Sequence, residues 1–108
     1  MENQGLLMLD RALELAEQEM AAVQNEAYED AIELSRERGK MTNQAWDFFS
    51  SDVRDEYRTR LLELKNIHQL LQKIATEAHA KVEASLKQSK QERRRMRGYQ
   101  SCVTHALQ

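Results

Sequence analysis

Residues 48–98 read FFSSDVRDEYRTRLLELKNIHQLLQKIATEAHAKVEASLKQSKQERRRMRG, and they decide the fold. Ser50, Ser51 and Asp52 are all good helix caps, and Asp55 and Glu56 follow where negative charge suits the positive end of a helix dipole. Beyond them the apolar residues recur at spacings of three and four: Val53, Tyr57, Leu61, Leu64, Ile67, Leu71, Ile74, Ala78, Val82 and Leu86. No Gly or Pro intervenes between Ser51 and Gly98. The pattern predicts one helix over 52–97, of about 45 residues and roughly 65–70 Å. Gly98 is a natural residue to end it, which leaves 98–108 as a flexible tail. A helix so long needs company. It pairs with a second copy in a homodimer, or the front of the chain folds back along it.

Working outward, Leu6, Leu9, Leu13, Ala16, Met20, Val23 and Ala27 form a first seam, with Asn3 as its cap. From Val23 to Ala27 to Ala31 the step is four and four, so the phase slips, which marks either a stutter in one long helix or a short turn between two, with a bend or turn near Gln24–Glu26 the favoured reading. A second stripe follows through Ala27, Ala31, Leu34, Arg38, Met41, Ala45 and Phe48, with an arginine among apolar positions. The expected fold is all-α: an antiparallel helical hairpin or bundle of about three helices with one very long C-terminal helix. It forms a single domain over 1–108, with helices at 3–24, 27–49 and 52–97.

Composition agrees with that class. The 108 residues include no Pro, 3 Gly and 31% charged side chains, and only 6% are aromatic. Residues 1–50 hold 4 Lys/Arg against 11 Asp/Glu, and residues 51–108 hold 12 against 7. Halves of opposite sign attract if the chain folds back on itself, while for most of the chain the favoured reading is ordinary charge on solvated helix faces. The single cysteine, Cys102, excludes an intrachain disulfide. No apolar run approaches the roughly 20 residues of a membrane span, and the first ten residues lack the pattern of a secretory signal. A cytoplasmic location with no direct membrane insertion is expected.

Catalytic and cofactor motifs are missing from the pattern. Gly39-Lys40 lacks the preceding glycine and following Ser/Thr of a phosphate loop. His68 and His79 are eleven residues apart, about 16 Å along a helix, too far for one metal ion. Cys102 and His105 lie past Gly98, where no cleft preorganises a nucleophile. No enzyme, cofactor or metal site is expected. Arg93, Arg94, Arg95 and Arg97 raise nucleic acid, yet consecutive arginines ring a helix and no aromatic platform accompanies them. No nucleic acid is expected either.

What remains is protein binding. Leu64, Ile67, Leu71, Ile74, Ala78 and Val82 make an apolar strip suited to an amphipathic partner helix. Ala75, Ala78 and Ala80 permit close approach. Arg93, Arg94, Arg95 and the lone Tyr99 read as a handle for a second partner, with incidental packing the other reading of Tyr99. Trp46, Phe48 and Phe49 read as a plug at the bundle end, or as an exposed anchor.

The stretch NEAYEDAIELSRERGKMT (25–42), with Tyr28, Ile32, Leu34 and Arg38 in that order, and the ending EASLKQSKQERRRMRGYQ (83–100) resemble the small flagellar export chaperones of the FliT and FlgN type. The short length is closer to FliT. Tyr28 stands where the family often has Trp, and the tail is short and carries Cys102. The resemblance implies a chaperone without a catalytic site. It implies a late axial subunit as cargo, either the filament cap or a hook–filament junction protein, and delivery to the membrane protein of the type III export gate. It also implies that Tyr99 takes part in gate docking and that a terminal segment shields the cargo groove. The other readings of the residues are a self-associating structural bundle and a small nucleic-acid-binding helical protein.

Overall fold

The structure, a computed structural model, describes residues 3–84 and 90–105, with side chains described for 3–81 and 91–104. The described residues form four α-helices: α1 (Gln4–Gln24), α2 (Tyr28–Ala45), α3 (Arg54–Ala84) and α4 (Lys90–His105). Two short 3-10 turns, Trp46–Phe48 and Ser51–Val53, join α2 to α3.

Asn3 caps α1 as expected: its Oδ1 accepts from the backbone N–H of Gly5 at 2.8 Å and of Leu6 at 3.3 Å. α1 ends where the seam slips. Glu26 sits at φ 60°, in the left-handed region that reverses the chain, and Ala27 N–H closes onto the Ala22 carbonyl at 2.8 Å. α1 and α2 therefore form an antiparallel hairpin. At its open end, Tyr57 of α3 donates to the Ala45 carbonyl at 2.7 Å and lies against Gly5. A β-carbon at Gly5 would come within 2.6 Å of that same carbonyl, so only glycine allows α1, α2 and α3 to converge there.

The very long C-terminal helix is corrected by the structure. α3 stops being described at Ala84, and α4 packs antiparallel against it, with residues 85–89 between them outside the described range. Gln100 lies across from Thr76 (3.5 Å), and the backbone of Val103 comes near His68. A continuous helix would carry Val103 about 50 Å beyond His68. Met96, Tyr99 and Val103, spaced three and four apart, give the physical reason: they form an apolar stripe that is buried against Val23, Tyr28, Ala31, Leu71 and Ala75. Fully burying such side chains contributes about 1.5–3 kcal/mol each. Gly98 does not end a helix. It lies inside α4 without a positive φ, and the tail expected from residue 98 is helical to His105. Leu86 and residues 106–108 fall outside the described residues.

Two apolar cores result. One joins Val23, Tyr28, Leu71, Met96, Tyr99 and Val103 under α4. The other joins Leu6, Leu9, Ala12, Ala45, Tyr57 and Leu64 at the end where α2 meets α3. The opposite charges of the two halves meet between them: Arg60 reaches Asp10 at 2.7 Å, and Arg95 reaches Glu29 at 3.1 Å.

Candidate functional site

The expected groove is not an open surface. Leu64 belongs to the core near Tyr57, while Leu71 lies in the core under α4 with Ile74 and Ala78 packed beside it. Ile67 is half-buried, and the side chain of Val82 lies outside the described residues. The strip is thus divided: its first part faces α1 and α2, and its later part faces α4.

The expected handle is divided as well. Arg94 and Arg95 are exposed and Arg93 is half-buried, but Tyr99 is fully buried, with 0% of its surface exposed. Its ring lies 6.4 Å from that of Tyr28. Its hydroxyl donates to Glu19 Oε2 at 2.6 Å, across 80 residues of sequence.

That bond belongs to a buried polar cluster to which every helix contributes one residue. Glu19 comes from α1, Arg38 from α2, His68 from α3 and Tyr99 from α4. Arg38 Nε donates to Glu19 Oε1 at 3.0 Å, and its Nη1 lies 3.3 Å from His68 Nδ1. All four side chains are buried. A guanidinium can only donate, so His68 Nδ1 accepts and the ring proton sits on Nε2. Burial, and then the adjacent Arg38 charge, pull the His68 pKa from 6.5 to about 4. The Val103 backbone opposes this slightly, without completing a well-aligned hydrogen bond to Nε2. Burial and the Glu19 carboxylate push the Tyr99 hydroxyl far above its ordinary value, so it remains a donor. The cluster is a polar clasp with no substrate-accessible atom.

A second feature lies at the other end of the bundle. Trp46, Phe48 and Phe49 are 51%, 38% and 39% exposed, so they do not plug the end. Trp46 and Phe49 stand around Tyr57 at ring distances of 5.8 and 5.1 Å. Together with Leu61 and Leu62 they line a hollow of about 410 Å³, bordered by Arg54, Arg58 and Lys65.

No family model, curated protein or solved structure matches the chain.

Among the described residues, no helix is long and apolar enough to cross a membrane, and no group of three or more His, Cys, Asp or Glu is placed to hold a metal ion. The sequence reading missed the clasp as a unit, although Arg38 interrupting the second stripe and Glu19 within the first helix were its visible signs. It also missed the cationic border of the hollow, which the spacing of Arg54, Arg58 and Lys65 carries.

Proposed function

We propose that this chain is a cytoplasmic export chaperone of the type its sequence resembles. It holds a late flagellar axial subunit, the filament cap or a hook–filament junction protein, and keeps it from assembling early. It then delivers the subunit to the type III export gate. The observation that supports this reading is how α4 covers α3. Three apolar side chains, Met96, Tyr99 and Val103, fill the later part of the strip at helical spacing. A cargo helix with the same pattern fits the same place.

In this mechanism no bond is made or broken, and the work is done by exchange of helices. With α4 docked, the later part of the strip is satisfied and covered. Cargo binds the form in which α4 has left. If docking is favoured by roughly 3 kcal/mol, the open form is about 1% populated and the apparent affinity falls by that fraction. Departure of α4 also frees Tyr99 from Glu19 and presents it with Arg93, Arg94 and Arg95 to the gate protein. Gate docking is thereby linked to cargo occupancy.

Calorimetry with the purified full-length chain and purified cap or junction subunit tests the reading. Met96→Ala and Val103→Ala weaken α4 docking, and each should tighten cargo binding about tenfold. The soluble part of the gate protein should bind these variants without cargo, and lose binding when Tyr99→Ala is added. If neither subunit binds the native chain or the variants, the chaperone reading is wrong.

A further inference from the structure

The hollow around Trp46 has no role in that exchange, since it belongs to the core at the far end from α4. Its floor is aromatic and aliphatic. Its border is uniformly cationic. Arg54, Arg58 and Lys65 stand four and seven residues apart on α3, within an arc of about 40° and over about 16 Å of helix. All three are exposed. None forms an ion pair among the described residues. The positions three and four away from Arg54 and Lys65 hold no acidic residue, and Asp55 is the sole carboxylate so placed beside Arg58. Like charges one turn apart oppose the helix that carries them. A straight row of unanswered cations beside exposed Trp46, Phe49 and Leu62 is half of an amphipathic contact.

We propose that this hollow is a second protein-docking site, and that its occupant is an amphipathic α-helix whose apolar stripe is bordered by carboxylates. The length of the cationic row spans about three helical turns, which matches a helix laid along α3 better than a compact ligand. Trp46 and Phe49 receive the apolar stripe, and Arg54, Arg58 and Lys65 meet Asp or Glu side chains spaced four and seven apart. Charge complementarity of this kind fixes register and partner choice.

Trp46 is the only tryptophan, so its emission reports on the site directly. Two synthetic amphipathic helices are titrated into the full-length chain. They share one leucine stripe and differ only in carrying Glu or Lys along its borders. The Glu-bordered peptide should shift Trp46 emission to the blue and bind at least tenfold more tightly than the Lys-bordered one, with affinity falling as salt rises. Leu62→Ser should weaken it about tenfold, and the double change Arg54→Glu with Arg58→Glu should reverse the preference. These residues are exposed, so the circular dichroism of each variant should match the native chain. Three results would overturn the proposal: equal binding of both peptides or of neither, a Trp46 shift only with anionic lipid vesicles, or occupation of the hollow by a second copy, seen as a dimer that Leu62→Ser abolishes. Each outcome is independent of whether flagellar cargo binds.

Discussion

Tyr99 changes meaning when its surroundings are known. In the sequence it stands alone after a run of arginines, and nothing nearby in the chain covers it. In the fold it is the fourth member of a buried clasp, held by Glu19 from 80 residues away. Long-range burial of this kind has no local signature. Arg38 was more legible, because an arginine in an apolar stripe requires a buried partner. Two predictions belong here. Tyr99→Phe keeps the ring and removes one charge-assisted hydrogen bond from a buried carboxylate, so urea unfolding should show a loss of about 1–3 kcal/mol. His68 gives a pH dependence with a definite sign. Its native pKa of about 4 lies below its ordinary value of 6.5, so the unfolded chain binds the extra proton first. The stability it contributes is complete above pH 6.5 and is lost as the pH falls towards 4, by up to roughly 3 kcal/mol. His68→Gln keeps an acceptor for Arg38 but does not titrate. Unfolding followed between pH 7 and 5, before most carboxylates protonate, should show a flatter profile in that variant.

At the scale of helices, starts were easier to read than stops. The cap at Asn3 and the turn after Gln24 were both visible, one as a side-chain acceptor and one as a phase slip. The end of α3 was not. Residues 83–100 contain no Pro and only one Gly, Gly98, and basic helix formers there suit a continuing helix. Gly98 was misleading, because glycine is common just beyond helix ends and also tolerated within them. The decisive stripe of Met96, Tyr99 and Val103 runs across it. Gly98→Ala follows as a test at this scale. An added β-carbon meets Ile32 Cδ1 at 3.7 Å, an ordinary contact. The substitution should stabilise α4 by about 0.5–1 kcal/mol. If cargo displaces α4, affinity should fall by up to about fivefold in the same calorimetric titration, the opposite direction to Met96→Ala.

As a whole, the molecule is a body of 55 × 21 × 18 Å, shorter than the single helix that the sequence reading expected within it. The all-α class was legible, because composition is a sum that survives errors in topology. The aromatic hollow was half legible: its residues were noticed, but their exposure depends on how two 3-10 turns leave α2. Stability should also be uneven. α4 is held by three apolar side chains, one arm of the clasp and exposed polar contacts such as Arg95 with Glu29, whereas α1 to α3 share both cores. Native-state hydrogen exchange should therefore show α4 amides exchanging faster than those in the middle of α1 and α3. The same arrangement has a consequence for biosynthesis. The ribosome delivers Glu19, Arg38 and His68 long before Tyr99, and domains fold from the N-terminus as they emerge. A nascent chain thus has the later part of its strip uncovered by α4 until Met96, Tyr99 and Val103 have emerged, so for that interval any helix with a matching apolar stripe meets no internal competitor.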